Sequence, residues 1–178
     1  AAEHGLVALI GTGVRNDGTI EAHMGNVVLA SGNKFTVDLY GDQLVNFSVD
    51  EAAASAGVDH NGNQLTDGVR NNGAILADGG TIIMSARAAR GVVDNVINMK
   101  GVAQARSVSE KNGVIILDGS EGAVSVSGRV DVSGKGTYAR GGKVKILAKN
   151  VSVEKTAVID ASGYSGGGEI LIGGNYQG

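Results

Sequence analysis

The chain has no cysteine, no proline and no tryptophan, and only two phenylalanines and four tyrosines among 178 residues. Without cysteine there are no disulfides, thiolate metal ligands or cysteine nucleophiles. Without proline, every residue keeps a backbone donor, as stacked strands require. The 30 glycines therefore point neither to collagen nor to a proline-rich linker. An aromatic content of 3% leaves the core to Val, Ile, Leu and Ala in thin repeated layers, with little from which to wall a catalytic pocket. Long apolar runs are missing as well: none approaches the roughly 18 residues that span a bilayer, and residues 1–20 lack the basic start and apolar centre of a signal peptide. Nor is there an excess of positive charge, with 15 Lys and Arg against 18 Asp and Glu, so nucleic acid is a poor partner.

What is present is a repeat. A hydrophobic fraction of 42% argues against disorder, and the length suits one domain. Val14-Arg15-Asn16-Asp17-Gly18-Thr19-Ile20-Glu21-Ala22 returns as Val69-Arg70-Asn71-Asn72-Gly73-Ala74-Ile75-Leu76-Ala77. The frame recurs at Ile97, Gly101, Ala103 and Ala105, at Val124, Gly128, Val130 and Val132, and at Val153, Ile159 and Ala161, where Ala157 replaces glycine. The spacings are 55, 28, 27 and 29, so a degenerate copy is expected near residues 40–50. Each copy is followed by a second apolar segment: Val27–Leu29, Ile82–Met84, Val114–Leu117, Val144–Leu147 and Ile170–Ile172. Alternation such as Val124-Ser125-Val126 is the period of a strand with one buried face. Asn-Asp-Gly, Asn-Asn-Gly and Ser-Gly predict positive-φ corners. Only Asp50–Ala56 and Ser85–Val96, where Ala and Arg cluster, suggest an excursion or a short helix.

Short strands, glycine corners and a period near 28 predict an all-β fold, a right-handed parallel β-helix of about six coils with short excursions. Val14, Val69, Ile97, Val124 and Val153 are expected to stack at about 4.8 Å per coil. Burying each such side chain contributes roughly 1.5 to 3 kcal/mol before ordering entropy.

These residues also resemble a family. Gly5–Ile10 leading to Val14–Ile20, then Gly25–Gly32 and Phe35–Asp42, look like the distal part of the filamentous haemagglutinin secretion domain. Asn72–Gly80 through Ala86–Ala89, Val96–Asn98 to Gly101-Val102, and Ile159–Gly163 with Gly166–Ile170 resemble the sequence that usually follows it. The resemblance implies a large exoprotein of two-partner secretion, exported unfolded through an outer-membrane transporter, folding outside as a β-helix, and serving as adhesin, haemolysin or contact-dependent toxin carrier. It implies a secreted or cell-surface location and a partner that is a cell-surface receptor or glycan. On this basis residues 1–178 form one β-helix domain and are expected to be a segment of a longer chain: 1–49 resemble the distal secretion domain, 50–68 are a loop or excursion, and 69–178 are regular coils. No catalytic, cofactor-binding or metal-binding residue is assigned. With no evident polar cap at either end, end-to-end stacking into fibres is also expected.

Several residue groups have a chemical alternative to a structural role. Asp59, Asn61, Asn63 and Asp67 have the spacing of a calcium loop, but Gln64 and Arg70 stand where Gly and Glu are wanted. An Asx-rich surface loop needs fewer assumptions. His4, His23 and His60 lack metal-ligand spacing. Gly79-Gly80 and Gly166-Gly167-Gly168 read as solenoid corners, since no helix follows to make a phosphate cradle. Asp118, Asp131 and Asp160 would form a row of carboxylates, as in polysaccharide-cleaving enzymes on this fold, which is the rival to a non-catalytic structural module. Arg87, Arg90, Lys100, Arg106 and Lys111 form a modest basic group that an anionic glycan such as heparan sulfate could meet, with Asp94 and Glu110 interleaved.

Overall fold

A computed structural model describes residues 5–38, 46–109 and 111–174. These contain sixteen strands and no helix: β1 (Leu6–Gly11), β2 (Val14–Asn16), β3 (Thr19–Glu21), β4 (Asn26–Ser31), β5 (Lys34–Asp38), β6 (Asn46–Glu51), β7 (Asp67–Asn71), β8 (Ala74–Leu76), β9 (Thr81–Ala86), β10 (Asn95–Met99), β11 (Val102–Gln104), β12 (Val114–Val126), β13 (Arg129–Asp131), β14 (Lys143–Val153), β15 (Val158–Asp160) and β16 (Glu169–Gly173).

Alternating aliphatic residues set the pairing. One nine-stranded sheet, parallel throughout, runs β1-β4-β9-β12-β10-β7-β2, with β14 and β16 continuing from β12. A five-stranded parallel sheet runs β15-β13-β11-β8-β3, and β5 pairs with β6 as an antiparallel hairpin. The expected all-β, parallel-strand class is observed. The sheets do not delimit six separate coils, however, because β12 and β14 run on through a corner and each belongs to two ladders.

In the first ladder Val27, Ile82, Ile115, Val144 and Ile170 are successive partners. In the second, Val14 opposes Val69, Val69 opposes Ile97, and Ile97 opposes Val124. In the third, Ile20, Ile75, Ala103, Val130 and Ile159 are matched. Their inward side chains merge into one aliphatic core reaching from Val14 to Ala161. A smaller cluster of Val28, Ala30 and Val49, with Phe35, Phe47 and Ile83, lies between the hairpin and β4/β9.

Five expectations need correction. No copy of the repeat intervenes in the first interval, because β2 pairs with β7, β3 with β8 and β4 with β9 directly. The described part of residues 40–50 belongs to the hairpin; residues 39–45 lie outside the described region. Val153 pairs with Val126, and Val151 takes the place opposite Val124, because Glu154-Lys155-Thr156-Ala157 makes a longer turn than Ser127-Gly128. Of the two alternatives at Asp50–Ala56 and Ser85–Val96, an excursion or a short helix, the helix is not formed: the segments carry strand ends and an Ala53–Ala88 bridge. Asn16 and Asn71, read as turn residues, are buried, with Asn16 Nδ2 donating to Asn71 Oδ1 at 2.8 Å. Finally, Gly18, Gly73 and Gly128 are absent from the positive-φ residues, which include Gly62, Gly79, Gly91, Gly136 and Gly166. Gly73, Gly101 and Gly128 are required by close approach, since a Cβ on each would strike the carbonyl oxygen of Gly18, Gly73 and Gly101 respectively. Those oxygens accept from Ala74, Val102 and Arg129 N–H, so the stack has no room to open.

Candidate functional site

The row of acids is shorter than its spacing suggests. Asp131 and Asp160 are opposed across β13 and β15, while Asp118 lies on the other sheet between Ser85 and Leu147. Arg129 Nη2 bridges the pair, 3.0 Å from Asp131 and 3.4 Å from Asp160. Each carboxylate also caps its own turn, accepting from Ser133 N–H and Ser162 N–H at 2.9 Å. Burial pushes the Asp131 carboxyl up, but the Ser133 and Arg129 donors outweigh it and hold the group below the ordinary carboxylate range. The Ser162 N–H does the same for Asp160. Both are therefore ionised at neutral pH with their lone pairs engaged. The acid of a glycoside-cleaving pair has its carboxyl raised, whereas both of these are lowered.

The basic group disperses. Arg106 crosses to Asp78, with Nη2 at 2.5 Å and Nε at 3.0 Å from Oδ2, and Gln104 adds a donor at 3.2 Å. Burial raises the Asp78 carboxyl, and the Arg106 side-chain and backbone donors bring it below its usual value. Lys111 is in a turn closed on Val108, Lys100 is in the turn after β10, and Arg87 and Arg90 face clefts described below. Glu110 lies outside the described residues.

The 59–67 segment is an Asx-stabilised turn. Asp59 Oδ1 accepts from Asn61 and Asn63 N–H at 2.8 and 2.9 Å, Oδ2 accepts from the Asn63 amide, and Gly62 takes φ 83°. Asp67 is buried elsewhere, accepting from Asn95 and Asn98 amides, with Arg70 Nε 3.1 Å away. The calcium-like ligands thus point to their own loop or into the body. Among the described residues no three His, Asp or Glu converge as a metal would need. His23 and His60 are exposed, and His4 lies outside the described residues. Gly79 and Gly166 turn corners with φ 72° and 152°, and Gly80 and Gly168 are stacked against the carbonyls of Gly25 and Gly142.

Two surfaces were not legible as sites in the sequence. The 87–94 loop overhangs the corners of β12 and β14 and leaves a cleft of about 500 Å³ lined by Arg90, Asp94, Glu121 and Lys149. A second cleft of about 220 Å³ shares Glu121 and adds Arg87 and Asp118. None of these six charged groups takes part in an ion pair among the described residues. The floor is an irregular stretch of β12 where register shifts twice and Ser120 adopts φ 47°. The second surface lies on the turns after β13 and β15, where Tyr138 and Tyr164 are 89% and 79% exposed. Beside Tyr138, a depression of about 640 Å³ is lined by Ser109, Asn112, Lys135, Thr137 and Arg140. Both sites join residues about one repeat apart, so only the pairing register brings them together. The chain matches no protein-family model and no curated protein.

Proposed function

We propose that the chain is a right-handed parallel β-helical module, a non-catalytic structural and adhesive segment of a large secreted bacterial surface protein of the filamentous haemagglutinin kind. On this proposal the three ladders are the faces of the helix, and the hairpin and 59–67 turn are excursions from it. The protein would leave the cell through an outer-membrane transporter and meet a receptor or glycan outside. One observation carries the reading: at the step from β12 and β13 to β14 and β15 all three ladders advance together by 27–29 residues, from Ile115 to Val144, from Val124 to Val151 and from Val130 to Ile159. A body that adds the same unit to every face grows in length without deepening its core, which suits a stalk or spacer better than an enclosed active site. The capped, ionised state of Asp131 and Asp160 further favours a structural over an acid–base role.

The test is adhesion. Beads coated with the chain should be retained on epithelial cells or bacteria above albumin-coated beads, and equal retention overturns the adhesive role. The rival, a polysaccharide-acting enzyme, now draws its support from the Asp118/Glu121 clefts. Release of reducing ends from any polysaccharide, abolished by Glu121→Gln, would establish it. Sedimentation over a wide concentration range tests the end-to-end assembly: growth with concentration is expected, and a constant monomer overturns it.

A further inference from the structure

Two of the four described aromatic side chains, Phe35 and Phe47, pack on each other with ring centroids 5.9 Å apart. The other two, Tyr138 and Tyr164, are left in solvent on adjoining turns. These turns are fixed to one another. Gly134 bridges Gly163, Ser165 Oγ donates to the Tyr138 carbonyl at 2.8 Å, and Gly141 N–H donates to Gly166 O at 3.0 Å. Arg140 lies flat over Gly166, where a Cβ would come within 3.2 Å of its Nε and 3.3 Å of its Nη2. Arg140 and Lys135 take part in no ion pair among the described residues, whereas the nearby Asp131 and Asp160 are occupied by Arg129.

From this juxtaposition we propose that Tyr138, Tyr164, Lys135 and Arg140 form a binding site for an acidic polysaccharide, one whose sugars bear carboxylate or sulfate. This inference rests on the adhesive reading and supplies its ligand class. A tyrosine ring presents an apolar face to the C–H face of a sugar and a hydroxyl to its rim. A guanidinium and an ammonium beside it complement carboxylate or sulfate, the former through two parallel hydrogen bonds. Ser109, Thr137 and Asn112 offer donors and acceptors to sugar hydroxyls. A protein partner would call for a wider apolar centre than two rings provide.

The experiment uses the full chain in titration calorimetry with heparin oligosaccharides, polygalacturonate oligosaccharides and neutral dextran. Binding to at least one acidic chain and none to dextran is expected; the arm that responds identifies sulfate or carboxylate as the recognised group. Tyr138→Ala with Tyr164→Ala, and separately Arg140→Gln, should each weaken binding about tenfold or more. Tyr138→Phe should retain most of it, and Lys149→Gln in the other cleft should change nothing. No acidic glycan bound, dextran bound equally, or binding unmoved by the tyrosine and arginine variants overturns the site. These side chains are exposed, so unchanged melting temperatures are expected and separate lost contact from lost fold. Beads carrying the tyrosine double variant that still adhere as well as wild type overturn this site as the adhesive determinant while the adhesive reading stands. Glycan binding with no adhesion by any of the proteins does the reverse.

Discussion

The first step of the ladders and the later ones differ twofold in chain length yet match in register. Asn16 and Asn71 are 55 residues apart, and Asn71 and Met99 are 28 apart, but each pair stacks on the same inward face. The first interval carries the β5–β6 hairpin and the 59–67 turn, while the second carries only the 87–94 loop. Register therefore follows which side chains stack and which carbonyls receive the next N–H, and the length of the connection hardly enters. Loop-closure entropy agrees: doubling a connection costs only about 0.6 kcal/mol, less than burying one aliphatic side chain returns.

If that comparison holds, the two kinds of step should fail alike. Gly73→Ala, in the long step, and Gly101→Ala, in the short one, each drive a Cβ into a backbone carbonyl. Each should lower unfolding free energy by about 3 kcal/mol in urea titrations. A difference above about 1 kcal/mol between them would break the equivalence. Asn71→Ala comes next: it strips Asn16 of its buried partner, for an expected loss of about 2 kcal/mol. Phe47→Ala sharpens the contrast from the other side. It should cost about 1–2 kcal/mol, with faster amide exchange confined to the hairpin and its β4/β9 contact, since Phe47 packs outside the main core. Faster exchange in β10–β14 would show that the excursion supports the ladders after all.

The smallest expected effect concerns acid. Asp78 is held below its ordinary value in the folded chain, so its contribution is present above the unfolded carboxylate pKa of about 3.9 and fades as pH falls through the lower folded value. The melting temperature of wild type should exceed that of Asp78→Asn at pH 7, and the gap should close below about pH 4. A gap independent of pH would mean that Arg106 stabilises through packing alone.

The strands, their parallel class and most rung partners were legible, because a period of two inside a period of 27–29 leaves few ways to bury Val, Ile and Leu. Where the chain departs from uniform length the same arithmetic misled. It placed a missing copy inside the first interval and set Val153 two residues out of register. Glycine corners were read as conformational when the constraint at Gly73, Gly101 and Gly128 is one of space, which only the neighbouring strand reveals. Asn16 and Asn71 could have been found, since they fall two residues after Val14 and Val69 and so share their inward face. The clefts and the tyrosine surface could not, because Arg90, Glu121 and Lys149, like Tyr138 and Tyr164, are neighbours only after the ladders are aligned.

The carbonyls of Gly18, Gly73, Gly101 and Gly128 each accept from an N–H of the following repeat, while those of Leu76, Gln104, Asp131 and Asp160 accept from the preceding one. Tension applied along the ladder axis, from Val14 toward Ile159, therefore loads successive rungs in series, never all at once. Such a body yields one repeat at a time, each release paying out the residues of that repeat, 55 at the first rung and 27 or 28 at the next two, before the next rung bears the force. A chain so built absorbs load by extending in small steps where an equally stable globule would hold and then rupture entirely.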